Sequence, residues 1–512
     1  MTLLFLIFLL ILNYVDSARI LCVFQMPAVS HQRVFQPIWR ELSLRGHEVI
    51  VVTPKPLKDP SLVNLTEIDV GGSNNELIQR HGFQFFMNKQ NGIHTKIPKI
   101  FNMHYDFAEA ILKNDQFIKI YNNTEENFDV VIAQTYISPI LYSLAAKFRA
   151  PLIGVSSMGA YIGSHFAMGN PNPPSLYSEM FLPYNGRLTF YERLKSSLYY
   201  AFVRFYRHFV ILPKSDELAR RYLGNDLPYM GEIEGNMSLL LLSTNPFLSP
   251  PRSTIPTIIS LESIHVKPVE ALPRDLQTFL DESKEGVVYF SLGSNVQSIN
   301  IPERVRNILV ESFAELPYKI LWKFESDTLP NQPKNVIIKK WLPQKDVLAH
   351  PNVKVFLSQC GLQSTEEAVS RAVPIVAIPF IADQEMNAKR LSEDLGVAIH
   401  LDFVTFTKQQ LTAAIIEVAE NPKYKKNMER LRDLWTDQPM KALDRAMWWI
   451  EYVIRHKGTK HLRSPTADIS WIEYLLLDVI AVIVFTFYAF IQIIKLIFRL
   501  IFNKNSQKKK QS

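Results

Sequence analysis

Only two cysteines, Cys22 and Cys360, occur in the 512 residues. A disulfide scaffold and a thiolate zinc cluster both need more thiols than that, so both are excluded. Excess charge is almost missing from the body. Lys+Arg minus Asp+Glu is 56 − 49 = +7, but the six cations Lys495, Arg499, Lys504, Lys508, Lys509 and Lys510 close the chain without an acid, leaving 7 − 6 = +1 upstream. A nucleic-acid-binding body is therefore disfavoured. Three nucleotide signatures are also missing. No G-x-G-x-x-G occurs, which argues against a dinucleotide dehydrogenase, and no G-x-x-x-x-G-K-[ST] occurs, which argues against a P-loop enzyme. No Asp-x-Asp occurs either, which disfavours glycosyl transfer through a metal-bridged diphosphate.

What is present is apolar mass. Hydrophobic residues make up 47% of the chain and charged residues 21%, enough to bury large cores. At about 100–200 residues per domain, two or three domains are expected. Long apolar runs stand at the two ends. Leu3–Leu12 has the length of a signal-peptide core, and the small residues Val15 and Ser17 predict cleavage after Ser17. From Tyr474 to Phe498 a second run is long enough for a helix crossing about 30 Å of bilayer. The basic residues after it predict a cytosolic tail and a luminal body, the type I arrangement. Asn64, Asn122 and Asn236 begin Asn-x-Ser/Thr triplets that fit a luminal body.

Between the ends, the texture alternates. Arg19–Gln25 reads as a buried strand, His31–Arg45 as an amphipathic helix closed by Gly46, and Glu48–Thr53 as the next strand. Asp129–Gln134 and Pro151–Ser156 flank a helix over Pro139–Phe148. Aromatics crowd at Phe83, Phe85, Phe86, Phe101, Tyr105, Phe107 and Tyr199–Tyr206, where they pack helices or line an apolar pocket. Prolines cluster from Pro246 to Pro273 and mark a linker. Alternation then restarts, with strands at Val287–Leu292, Lys319–Phe324, Asn335–Lys339, Val353–Leu357, Pro374–Ile378 and Val397–His400. The fold class is α/β: two facing Rossmann-like domains and one C-terminal transmembrane helix. The expected units are a leader (1–17), an N-terminal domain (18–245), a linker (246–273) and a C-terminal domain (274–455). A juxtamembrane stretch (456–473), a span (474–498) and a basic tail (499–512) follow.

Chemistry concentrates after the strand Val353–Leu357. The run Ser358-Gln359-Cys360-Gly361-Leu362-Gln363-Ser364-Thr365-Glu366-Glu367 reads as a glycine turn opening a helix, with Ser364 or Thr365 as its cap. Such an end offers free N–H groups and a positive dipole to an anion. A second strand-to-helix turn follows at Pro379–Asn387.

The run from Trp341-Leu342-Pro343-Gln344 to Asn387 resembles the signature of the UDP-glycosyltransferase family. Ser30-His31 with Pro37–His47 resembles the opening of its acceptor domain, and the whole chain resembles the insect-type, membrane-anchored branch. The resemblance implies a glycosyltransferase-B fold that needs no metal and no cofactor, the UDP-sugar being a co-substrate. The partners implied are that UDP-sugar, held by the C-terminal domain, and a small lipophilic alcohol or phenol, held by the N-terminal one. A homo-oligomer is compatible with it. Trp341 would stack on uracil, Gln344 would reach the base or ribose, and Glu367 would accept the ribose hydroxyls. Ser294, Gln359, Gly361, Gln363 and Ser364 would meet the diphosphate, and Asp383 and Gln384 the sugar. Lys509 and Lys510 resemble a dilysine retrieval signal, which implies the endoplasmic reticulum membrane.

The implied reaction is an inverting displacement with His31 as base. The family pairs this histidine with an aspartate, and Gln134 stands at the matching position. A glutamine fixes a tautomer without supplying charge. Gln359 stands where many members carry His, and Cys360 where many carry Gly. Two readings follow: an active transferase, with UDP-glucose as donor, phenols as acceptors and conjugation as its role, or a catalytically weak binder of nucleotide sugar or lipophile.

Overall fold

The computed structural model describes residues 17–81 and 92–508, apart from residues 178, 180, 183, 185 and 382. The leader up to residue 16, the aromatics Phe83, Phe85 and Phe86, and the lysines Lys509 and Lys510 lie outside the described residues.

Short runs of β-branched and aliphatic residues build two parallel sheets. The first has seven strands in the order β3-β2-β1-β4-β5-β6-β7. They are β1 Arg19–Val23, β2 Glu48–Thr53, β3 Leu65–Asp69, β4 Val130–Gln134, β5 Leu152–Ser156, β6 Leu239–Leu242 and β7 Ile258–Ser260. The second has six strands in the order β10-β9-β8-β11-β12-β13. These are β8 Val287–Ser291, β9 Lys319–Lys323, β10 Val336–Lys339, β11 Val353–Ser358, β12 Ile375–Ala377 and β13 Ala398–His400. The central strands β1, β4, β8 and β11 are almost wholly buried, as the continuous apolar runs require when helices cover both faces.

The helices that matter for function are α1 Val29–Leu44, α2 Ile93–Leu112, α3 Phe190–Tyr206, α4 Leu362–Ser370, α5 Gln384–Lys389, α6 Ala442–His456 and α7 Leu477–Lys508. In α7, Leu477–Leu500 is long and apolar enough to cross a membrane. The structure departs from the expected units in two places. The stretch expected as a linker supplies β7 to the first sheet. The end of the expected C-terminal domain, α6, buries Ala446, Met447, Ile450 and Val453 in one cluster with Phe35, Trp39 and Val49 of the first domain. Arg45 of the first domain pairs with Glu451 of α6 at 3.0 Å. The apolar stripe of α6 thus finds its partner across the molecule, which a local reading of the sequence does not show.

Each sheet reverses its strand order beside its first strand, between β1 and β4 and between β8 and β11. Ligand crevices of doubly wound sheets form at such points, beyond the carboxyl ends.

Candidate active site

Residues from both crevices meet in a single cleft open to solvent. The first domain lends it Ser30, His31, Arg33 and Met158. The second lends Ser294, Trp341, Gln344, Gln359, Gly361, Gln363, Ser364, Glu367, Asp383 and Gln384. Every donor-side residue expected from the sequence therefore lines one cleft, together with His31; Gln134 is not among its lining residues.

The turn after β8 is shaped by close approach. Gly293 has φ +74°, and a Cβ there would stand 2.6 Å from Nε2 of Gln359. The left-handed φ favours glycine, and any larger residue would also push the Gln359 amide aside. After β11, Cys360 occupies the left-handed region at φ +61°. This costs a non-glycine residue about 1 kcal/mol, which gives the physical reason a glycine suits the position. Its carbonyl accepts the Asn387 amide at 2.9 Å.

The helix after this turn starts earlier than expected. Gly361 is the N-cap of α4, so neither Ser364 nor Thr365 caps it. Ser364 instead accepts a hydrogen bond from Nε2 of Gln344 at 3.0 Å. The same amide donates to Glu367 at 2.6 Å, and Gln344 Oε1 accepts from the Tyr289 hydroxyl at 3.1 Å. Gln344 thereby fixes the Glu367 carboxylate at the cleft wall. Burial raises the Glu367 pKa, opposed by the Gln344 hydrogen bond and the Arg33 charge. Above them Trp341 is 55% exposed. The Arg33 guanidinium reaches across from the facing domain to 5.3 Å from its ring centroid.

Three expected ligand residues are engaged in the protein itself. Gln384 accepts from the N–H groups of Phe380 and Ile381 and donates to Gln359 at 3.1 Å, so it braces Gln359 at the cleft wall. Gln363 donates through Nε2 to the Ser157 carbonyl at 2.8 Å, joining the two domains. Asp383 accepts from Asn387 at 2.8 Å, and burial raises its pKa.

The base side differs from the expected His31–Gln134 pair. Gln134 Oε1 accepts two backbone N–H groups, those of Gln25 at 3.0 Å and Met26 at 2.9 Å. It ties down the loop that leads from β1 to α1. His31 has another partner: its Nδ1 lies 2.5 Å from Oγ of Ser157, just past β5. Burial pushes the His31 pKa down to about 4, so its imidazole is neutral at physiological pH. Ser157 escapes a sequence reading because 126 positions separate it from His31.

A buried pair supports the cleft floor from behind. His265 Nε2 donates to the Gln363 carbonyl at 3.1 Å, and its Nδ1 faces Glu366 Oε2 at 3.4 Å. Glu366 is wholly buried, and its other oxygen accepts the Ser263 N–H at 3.4 Å. Burial raises the Glu366 pKa to about 8, with the neighbouring Glu262 and Glu367 adding to the shift. A neutral carboxyl can donate its proton to His265 Nδ1, which holds the tautomer whose Nε2–H meets Gln363. Away from the cleft, the sequon asparagines Asn64, Asn122 and Asn236 are all exposed.

Comparison with known proteins agrees with this geometry. The profile of the family described as "UDP-glucoronosyl and UDP-glucosyl transferase" matches residues 19–512. UDP-glucosyltransferase 2 of Dactylopius coccus is 33% identical over 494 residues, covering 96% of this chain and 94% of that protein. UDP-glucuronosyltransferase 2B1 of Rattus norvegicus is 33% identical, covering 88% of this chain and 87% of that protein. Among solved structures, a UDP-glucose: anthocyanidin 3-O-glucosyltransferase in complex with UDP superposes with a TM-score of 0.57 at 16% identity, covering 86% of this chain and 100% of that one. The fold is glycosyltransferase-B, and the chain belongs to the family of UDP-glucuronosyl and UDP-glucosyl transferases.

Proposed function

We propose that this UDP-glycosyltransferase moves glucose from UDP-glucose to the hydroxyl of a small lipophilic acceptor, preferentially a phenol, with His31 as base. The observation that carries the reading is the cleft itself. It brings a neutral histidine from one domain against the Trp341, Gln344 and Glu367 wall of the other. In this reading uracil stacks on Trp341 and the ribose hydroxyls donate to Glu367. The pyrophosphate meets the turn at Ser294 and the N–H groups at the start of α4. The acceptor oxygen attacks the anomeric carbon, the bond from that carbon to the phosphate oxygen breaks, and UDP leaves. The acceptor proton passes to His31. With Ser157 Oγ accepting from Nδ1–H, the lone pair of Nε2 is the one that takes it.

Ser157 supplies no charge, so the imidazolium formed in the transition state receives less help than a carboxylate would give. Phenols, with a reference pKa of about 10, need less of that help than aliphatic alcohols. The reading further places the body in the lumen of the endoplasmic reticulum, anchored by α7, in a conjugating role. The test is to incubate membranes holding the full chain with UDP-glucose, UDP-glucuronate and UDP-galactose against a panel of phenols and alcohols. A glucoside formed fastest from the phenols is expected. Binding of UDP without product from any donor would leave the alternative, a weakly catalytic binder of nucleotide sugar.

A further inference from the structure

Helix α3 and its continuation Arg207–Ile211 present one face to the interior and leave another bare. Tyr199, Val203 and Ile211 are buried in a cluster with Phe101 of α2 and with Met26 and Ala28, which lie in the loop just before the helix that carries His31. On the other side Phe190, Leu194, Leu198, Phe205 and Phe209 stay between 44% and 73% exposed. At 3.6 residues per turn Phe190, Leu194, Leu198 and Phe205 fall within an arc of about 80°, and Phe209, in the wider π-helical turn that follows, packs its ring 4.6 Å from that of Phe205. A single exposed leucine means nothing, but a stripe of this length marks a contact surface. The flanks are basic: Arg187, Arg193, Lys195 and Arg204 stand against one acid, Glu192, between residues 187 and 206.

The same end of the domain receives the segment that leads into α7. Ser464 Oγ donates to the Gly169 carbonyl at 3.0 Å, and Ile469 and Tyr474 line a shared pocket with Tyr200 and Arg204 of α3. Leu477, the first residue of the apolar helix, follows three positions later. Helix α3 is therefore stitched, along the edge carrying Tyr200 and Arg204, to the foot of the membrane anchor.

We propose that α3 lies in the headgroup layer of the bilayer crossed by α7, its apolar stripe dipping among the acyl chains and its cations at the phosphates. A basic amphipathic helix binds a membrane surface in this way. The proposal rests on α7 spanning the bilayer. It deepens the proposed function, because α3 is then the wall between the lipid and the His31 side of the cleft. Acceptors already dissolved in the membrane would reach the enzyme there.

The test uses the full chain in phosphatidylcholine vesicles containing phosphatidylserine. Cys22 and Cys360 are buried, so a cysteine introduced by Leu198→Cys or Phe205→Cys takes a polarity-sensitive NBD label selectively. Val404→Cys, on the second domain, is the exposed reference. Labels at 198 and 205 should emit to the blue of the label at 404 and be quenched by doxyl lipids when it is not. Phe205→Glu combined with Leu198→Glu should raise KM for a lipophilic acceptor several-fold in vesicles and leave KM for the UDP-sugar unchanged. Wet labels on a protein that resists alkaline carbonate extraction would overturn the proposal, as would labels shielded by cross-linking to a second copy. Extraction of the whole protein by carbonate would instead overturn the spanning role of α7.

Discussion

Nδ1 of His31 and Oγ of Ser157 are 2.5 Å apart, and this contact is the partner the candidate base has in the fold. The carbonyl of the same serine receives Gln363 from the other domain. One residue thus orients the base and touches the loop that opens α4.

Ser157→Ala removes a neutral hydrogen bond worth about 1 kcal/mol, so kcat should fall about fivefold. KM for the UDP-sugar should stay the same, because the Gln363 contact uses the backbone carbonyl. His31→Ala should cost about 10²–10⁴ in kcat and leave UDP affinity unchanged. Steady-state kinetics with both substrates varied checks the split. Wild-type rates in the histidine variant would move the base elsewhere.

Because burial holds the His31 pKa down to about 4, the neutral imidazole persists well into acid. The rate profile should stay flat from pH 7 to about 5 and fall only below that, not near the ordinary histidine value of about 6.5. Ser157→Asp should move the acid limb upward, since a carboxylate stabilises the imidazolium. An acid limb near 6.5 in the wild type would contradict a buried neutral base.

Gln134→Ala leaves the N–H groups of Gln25 and Met26 without their acceptor, so it should lower stability by about 2 kcal/mol or more. Thermal unfolding reads this directly. The acid limb of the rate profile should not shift, since Gln134 bonds the loop and not the imidazole. A shifted limb in a variant of unchanged stability would restore the pairing expected from the sequence.

Glu366 gives a pH signature of its own. Its carboxyl titrates near 4.3 when unfolded and near 8 when folded. The raised folded value means its stabilising contribution is full below about 4.3 and is lost as pH climbs to about 8, at roughly 1.4 kcal/mol per pH unit. Glu366→Gln keeps a donor for His265 Nδ1 and cannot ionise. The variant should gain on the wild type across that window and hold its margin above it, with normal UDP affinity. Glu366→Leu has no donor, so it should weaken UDP binding through the Gln363 loop. Parallel unfolding curves for wild type and Glu366→Gln would show that the carboxyl is charged.

UDP at about a hundred times its Kd should raise the unfolding free energy by about 2.7 kcal/mol. Glu367→Ala should remove most of that gain, since the ribose hydroxyls lose their acceptor. A full thermal shift in this variant would take the ribose away from Glu367.

The sheets were legible because parallel strands buried on both faces announce themselves as unbroken apolar runs. The strands expected at Val287–Leu292 and Lys319–Phe324 match β8 and β9 to within one residue. The second domain's side of the cleft was legible because Trp341, Gln344, Glu367 and Asp383 sit in one stretch whose spacing resembles a known family. Illegible residues were those whose roles arise from distant closure. Ser157 is ordinary in its local sequence, and so are Arg33 and His265. Gln134 ends β4, where the family resemblance expects a partner for the histidine, but its side chain reaches the backbone of the loop after β1 instead. The start of α4 differs from the expectation because serine and threonine favour caps, whereas here Gly361 takes that place.

The return of α6 to the first sheet makes the acceptor half discontinuous along the chain. Its core is completed by residues 442–456, beyond the whole of the second sheet. A hybrid built by joining two relatives at the proline-rich stretch would set a foreign α6 against Phe35 and Trp39. Exchanges that carry residues 442–456 along with the first 260 should fold, and those that leave them behind should pack poorly. The connection also closes a ring: chain passes between the halves once before β8 and once before α6, so the halves can rock on two strands of backbone but cannot swing freely on one.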